Sequence, residues 1–171
     1  MIKNIIWSSI FVLIASILQS TILSHLAIYR AVPDLALGII VYCAYVNGSM
    51  SGQLSGFFSG LFSDLLSAAP LGLNSLIRTL IGALTGLMRG AFFLDFLFLP
   101  MTLCAAATLL KALIVLVLHL IFPDIIPAYR FAYPTLWIEL VLNTVTAPFL
   151  FALLKRFNGL LTERSSRNAP V

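Results

Sequence analysis

Charged residues are scarce in this chain. Lysine, arginine, aspartate and glutamate together make up 9% of its 171 residues, whereas hydrophobic residues make up 61%. Soluble domains carry roughly a quarter of their residues as charges. The composition therefore leaves no room for a soluble catalytic or nucleic-acid-binding domain. It predicts a protein that acts inside a bilayer or through short loops at the two membrane faces.

Residues that usually carry out chemistry are also rare. The two cysteines, Cys43 and Cys104, both lie in apolar stretches, where a thiol behaves as a small hydrophobic group. The chain has no HExxH sequence and no glycine-rich phosphate-binding motif of the GxxxxGK or GxGxxG type. We therefore expect a protein that is not an enzyme, with no catalytic residues, no metal and no cofactor.

Long apolar runs dominate instead, and turn-forming residues divide them. A helix needs about 20 apolar residues to cross a bilayer. We predict an all-α, polytopic membrane protein, a bundle of six transmembrane helices: Ile5–Leu23, Leu35–Val46, Ser51–Leu66, Leu73–Arg89, Phe96–Phe122 and Thr135–Leu154. Pro33 and Asp34 suit the first turn of the second helix. Residues 1–155 would then form one transmembrane domain, and residues 156–171 would form a short, basic, disordered cytoplasmic tail.

The distribution of lysine and arginine predicts the orientation of the bundle. An even number of crossings puts both termini on one side, and cytoplasmic loops are enriched in these two residues. Six basic residues would share the side of the termini: Lys3, Arg89, Lys155, Arg156, Arg164 and Arg167. Only Arg30 and Arg130 would face the other side. We therefore expect a multi-pass membrane protein with both termini in the cytoplasm.

A stripe of small residues is the clearest pattern within the helices. Six glycines recur every fourth residue in the third and fourth predicted helices: Gly52, Gly56, Gly60, Gly82, Gly86 and Gly90. Small residues let two membrane helices approach closely enough for dispersion and Cα–H···O contacts. We expect these glycines to be helix-interface residues. Packing within this chain is the favoured interpretation, and binding of another membrane protein is the alternative.

Polar residues inside the predicted spans form a second group of candidates. A charge in the hydrocarbon core is costly, so such residues usually face the bundle interior or a wet cavity. The candidates are Asp64, Arg78, Lys111, His119, Glu139 and Asn143. We predict an ion pair between Asp64 and Arg78, which lie at similar depth on adjacent helices. A polar seam should join the fifth and sixth helices, with Glu139 level with His119 and Lys111 level with Asn143 and Thr146.

Short segments in the first half of the chain resemble the MreD family of rod shape-determining membrane proteins. The segments that carry the resemblance are Gln19-Ser20-Thr21, Val32-Pro33-Asp34-Leu35, Gly52, Gly56-Phe57, Gly60-Leu61, Asp64-Leu65-Leu66 and Pro70-Leu71-Gly72-Leu73-Asn74-Ser75-Leu76. Their order and spacing extend the resemblance from Gln19 to Gly90. The second half of the chain is similar only in hydropathy and length.

The resemblance implies a non-catalytic membrane scaffold of the bacterial cell-elongation machinery, located in the bacterial cytoplasmic (inner) membrane. Its expected partners are MreC, RodA, a class B penicillin-binding protein and the cytoplasmic MreB filaments, together with the lipid bilayer and no nucleic acid. It also implies a fold like that of the substrate-binding subunits of energy-coupling-factor transporters. No catalytic residue carries over, because the family has none.

The alternative is that the protein is itself a vitamin-binding subunit of such a transporter. That function requires a polar pocket near the outer face, which Asp64, Arg78, His119, Glu139 and Asn143 would line. These subunits often carry an AxxxA motif in the first helix, and this chain departs from it with Ser16, Ser20 and Ser24. A stoichiometric bound vitamin would separate the two functions.

Overall fold

The structure is a computed structural model that describes residues 2–21, 32–67, 70–89, 98–126 and 134–161. These residues form helices and connecting turns and no strand. The helices are α1 (Ile2–Thr21), α2 (Leu35–Asn47), α3 (Ser49–Leu66), α4 (Leu73–Leu87), α5 (Phe98–Ile121), α6 (Pro134–Arg156) and α7 (Asn158–Leu161). The predicted all-α fold is therefore confirmed: each of the six predicted helices is present, with ends shifted by up to three residues.

Helices α5 and α6 carry the strongest membrane signal. They have 24 and 23 residues, few charges and a composition apolar enough to cross a bilayer. At about 1.5 Å per residue either is long enough for the roughly 30 Å hydrocarbon core. Large apolar side chains such as Leu113, Val141 and Phe149 are exposed on their outer faces. In a membrane protein these faces contact lipid, so the exposure of their apolar side chains does not indicate a protein partner.

Helix α2 forms the centre of the bundle. Every side chain from Ala36 to Ala44 is buried, and α2 contacts α1, α3, α4, α5 and α6. A helix that is apolar on all sides is stable only when neighbours cover it completely. The other helices are therefore arranged around α2.

A tight turn joins α2 to α3. Gly48 is the single residue between the two helices, and its φ angle of 93° lies in the region that favours glycine. Its N–H donates to the carbonyl of Ala44 and closes the end of α2. The predicted break at Asn47-Gly48-Ser49 is confirmed.

The start of the tail is ordered, contrary to expectation. The ring of Phe157 lies 5.4 Å from that of Phe11, and the Tyr42 hydroxyl donates to the side-chain oxygen of Asn158. Asn47 Nδ2 donates to the carbonyl of Leu161 at 2.7 Å, and Leu161 is fully buried. The prediction of a disordered tail is therefore wrong for residues 157–161. It rested on the polar composition of the whole tail and did not take into account the apolar contact made by Leu161.

Replacing Leu161 tests this docking. Leu161→Ala should lower stability by about 2 kcal/mol or more, because it leaves a cavity under α7. The thermal unfolding midpoint of the detergent-solubilised protein measures the loss. Gly159→Ala is the matched control, since nothing lies within 4 Å of the added methyl group. Equal midpoints for Leu161→Ala and the unmodified protein would contradict the docking.

Candidate functional site

The glycines of α3 and α4 bring the two backbones into direct contact. A methyl group at Gly52 would overlap the carbonyl of Gly82, and one at Gly82 would overlap the carbonyl of Gly52. Gly56 lies against the backbone of Arg78 and Gly60 against that of Ser75. We call this contact the glycine seam. Gly86 continues it against Ser49, while Gly90 lies outside the described residues.

The glycine seam places α4 so that its first turn meets Asp64. Asp64 Oδ2 accepts hydrogen bonds from the N–H groups of Gly72 at 2.9 Å and Ser75 at 3.1 Å. Its Oδ1 accepts from the N–H of Asn74 at 3.0 Å and from Asn74 Nδ2 at 2.9 Å. The first N–H groups of a helix have no partner within the helix, and a carboxylate stabilises that positive end. Asp64 therefore caps α4 from the neighbouring helix.

The predicted Asp64–Arg78 ion pair is wrong. Asp64 uses both oxygens on the start of α4, whereas Arg78 Nη1 donates to the carbonyl of Ser59 at 3.2 Å and to the Ser63 hydroxyl. The two charges interact only at longer range. Similar depth in the membrane suggested the pair. The short link between α3 and α4 instead places backbone N–H groups within hydrogen-bonding distance of Asp64.

A cavity lined by both polar and apolar residues opens beside Arg78. Its volume is about 510 Å³, and it lies where α1 and α3 end and α4 begins. The lining residues are Ser16, Ile17, Gln19, Val32, Ser63, Leu66, Ser67, Asn74 and Arg78. Of the five side chains expected around a polar pocket, only Arg78 lines this cavity. His119, Glu139 and Asn143 lie elsewhere, and Asp64 faces α4.

A second polar group joins α2, α5 and α6. Lys111 Nζ lies 2.8 Å from Asp34 Oδ2 and 2.7 Å from Glu139 Oε1. The side chain of Lys111 is 20% exposed and those of both carboxylates 10%. We call these three residues the charge cluster. Buried ions require this kind of mutual pairing, because each alone would lose its hydration without compensation.

The expected polar seam between α5 and α6 is present, but its register differs from the prediction. Glu139 pairs with Lys111 and not with His119, whose Nδ1 lies 2.6 Å from the carbonyl of Ile126. Asn143 bonds Thr108, one turn before Lys111, so the two antiparallel helices are in a register that puts Lys111 level with Glu139. The depths estimated from the sequence missed this register.

Asn143 completes the connection between these helices. Its Nδ2 donates to the Thr108 hydroxyl at 2.9 Å, and its Oδ1 accepts from the N–H of Asp34 at 2.7 Å. Asp34 also accepts from the N–H of Leu37 at 3.0 Å, so it caps α2 as well as pairing with Lys111. The sequence indicated only the capping role, because Lys111 lies 77 residues further along the chain.

Metal chemistry has no support in this part of the molecule. Among the described residues, no group of three or more histidine, cysteine, aspartate or glutamate side chains could hold a metal ion. The charge cluster contains two carboxylates, but the ammonium group of Lys111 occupies the position between them. Its geometry is that of a structural ion pair joining three helices.

Comparison with known families gives a match over nearly the whole chain. Residues 1–157 match the family described as rod shape-determining protein MreD. The chain belongs to the MreD family. Its role is accordingly in determining rod shape, as a membrane protein of the system that includes MreC. Comparison with curated proteins and with solved structures gave no match, so the likeness to transporter substrate-binding subunits stays a prediction.

The charge cluster gives a direct test of this MreD-family fold. Lys111→Met should destabilise the protein by about 3–5 kcal/mol, because it removes the ammonium group that pairs with both Asp34 and Glu139 in a largely buried site. The triple change Lys111→Met, Asp34→Asn, Glu139→Gln should recover part of that loss, because it removes the two carboxylate charges as well. Thermal unfolding in detergent measures both.

Arg156→Met is the control, because Arg156 is exposed at the end of α6. Its unfolding midpoint should stay close to that of the unmodified protein. A Lys111→Met midpoint equal to that of Arg156→Met would mean that the cluster does not hold the three helices together.

Proposed function

We propose that the protein is a non-catalytic membrane scaffold of the bacterial cell-elongation machinery. It helps set rod shape by linking MreC and the wall synthases, RodA and a class B penicillin-binding protein, to cytoplasmic MreB filaments. The observation that carries this proposal is the match to the MreD family over residues 1–157. The described interior supports it, because the buried polar side chains join helices and form no reactive group.

The proposal includes a multi-pass arrangement in the inner membrane, with residues 1–155 as the transmembrane domain and both termini in the cytoplasm. Arg89 Nη1 donates to the carbonyl of Asn47 at 3.1 Å, and Asn47 in turn bonds Leu161. These contacts bring Arg89 to the same end of the bundle as Lys155 and Arg156. Clustered basic residues favour the cytoplasmic side, and the cavity beside Arg78 then opens toward the outer face.

The glycine seam offers a partner no surface, because its glycines in the described helices are buried between α3 and α4. An apolar groove between α1 and α3 supports a different docking site. Its volume is about 570 Å³, and its lining residues are Ile5, Ile6, Ser9, Ile10, Leu13, Leu54, Phe58 and Phe62.

We place the single transmembrane helix of MreC in this groove. The groove is apolar along its length, as a partner helix within lipid requires. Ser9 is the one polar residue in its lining, and its hydroxyl is buried inside the protein, so the surface that a docked helix would meet is apolar.

Filling the groove tests the scaffold function. In rod-shaped bacteria that depend on the variant for MreD function, Ile10→Trp should reduce copurification of MreC and round the cells. Val141→Trp is the matched control, because Val141 is exposed on α6 away from the groove. Both proteins should accumulate to equal levels. Rod-shaped cells with normal MreC recovery from Ile10→Trp would contradict docking in the groove.

A vitamin-binding subunit of an energy-coupling-factor transporter is the second candidate, and the cavity beside Arg78 is the observation that favours it. Mass spectrometry of the purified protein separates the two. A stoichiometric vitamin would replace the scaffold proposal. Cell rounding and loss of MreC on filling the groove, without a bound vitamin, would support the scaffold.

A further inference from the structure

The cavity beside Arg78 has the composition of a binding site for an amphiphile. Ile17, Val32 and Leu66 supply apolar wall, while Gln19, Asn74 and Arg78 supply polar groups. At about 510 Å³ its size falls in the range of small-molecule sites, which combine an apolar lining with a few polar groups that fix orientation. Arg78 would therefore determine which charged group of a ligand the cavity binds.

Arg78 presents unused hydrogen-bond donors to this cavity. The residue is only 8% exposed, and both of its hydrogen bonds come from Nη1, to Ser59 and Ser63. Within the described part of the chain, Nε and Nη2 have no hydrogen-bond partner. A guanidinium carries five N–H donors, so those on Nε and Nη2 are left to bond an acceptor inside the cavity that Arg78 lines.

Neither neighbouring carboxylate supplies this acceptor. Asp64 is occupied by the first turn of α4, and Asp34 by Lys111 and the N–H of Leu37. Both interact with Arg78 electrostatically without a hydrogen bond to it. They partly offset its positive charge, so a singly charged anion fits the site better than a doubly charged one.

We propose that the cavity binds a singly charged oxyanion of the phosphodiester kind through the free edge of Arg78. The planar guanidinium fork matches two oxygens of such a group and holds them more firmly than a neutral donor would. The apolar wall accommodates carbon chains attached to the phosphodiester. The source is either the headgroup of an anionic phospholipid or a soluble phosphodiester, and the two share the same contact with Arg78.

Native mass spectrometry of the full-length, delipidated protein in neutral detergent tests the site with three probes. Phosphatidylglycerol carries the phosphodiester and the chains, diacylglycerol lacks the phosphodiester, and glycerophosphoglycerol lacks the chains. We expect one phosphatidylglycerol per chain, bound about tenfold or more tightly than diacylglycerol. Binding of glycerophosphoglycerol with equal affinity would identify a soluble source, and failure of that probe alone would identify a lipid.

Arg78→Gln should weaken phosphatidylglycerol binding about tenfold or more, because it removes the charged donor. Arg156→Gln removes the same charge at an exposed position and should bind as the unmodified protein does. Equal binding of phosphatidylglycerol and diacylglycerol, or unchanged binding by Arg78→Gln, would overturn the proposal.

A second variant keeps the test decisive if the loss of Arg78 prevents folding. Ser16→Leu adds apolar bulk to the cavity from α1. It removes the 3.4 Å hydrogen bond between the Ser16 and Ser63 hydroxyls, but it keeps both acceptors of Arg78, the Ser59 carbonyl and the Ser63 hydroxyl. It should also reduce phosphatidylglycerol binding, whereas Thr21→Leu, on an exposed part of the same helix, should not. Full binding by folded Ser16→Leu would place the lipid outside the cavity and overturn the proposal.

Discussion

The backbone contact between α3 and α4 determines where Asp64, Arg78 and the cavity beside Arg78 lie. Because Gly52 and Gly82 lie against each other without side chains between them, the two helices approach more closely than larger residues would permit. That approach delivers the first turn of α4 to Asp64 and brings the backbone of Arg78 against Gly56. The side chain of Arg78 is thereby held at the edge of the cavity. The polar chemistry of this region follows from a steric property of glycine.

Lipid imposes the second constraint, because it offers no hydrogen bonds to polar groups. The described interior meets this requirement with charges shared between helices. Asp34 caps α2 and pairs with Lys111, Glu139 pairs with the same lysine, and Asn143 bonds both Thr108 and the backbone of Asp34. These bonds hold α5 and α6 against α2 within the membrane, where the hydrophobic effect between helices is weak. Arg78 differs from this pattern, since part of its guanidinium has no acceptor in the described protein.

Sequence predicted the architecture well and the polar contacts poorly. Apolar runs and turn residues located six helices, and the glycine period indicated the helix interface, because these features are local and periodic. The polar contacts depend on the register between helices and on which hydrogen-bond donors lie nearest to each carboxylate. Asp64 bonds the backbone of α4 rather than Arg78, and Lys111 lies level with Glu139 rather than with Asn143. The role of Asp34 depends on a residue 77 positions away, and no local pattern reveals such a partner.

Spin labels placed one at a time along α3 in lipid vesicles test the central claim most directly, through their accessibility to dissolved oxygen. The packing of α3 against α4 predicts a helical period, with maxima on the outward face at Phe58, Phe62 and Leu65. Minima should fall at Ser55 and Ser59, which are almost fully buried. Accessibility that is uniform along α3, or highest at the two serines, would contradict the glycine seam and the position of Arg78 that depends on it.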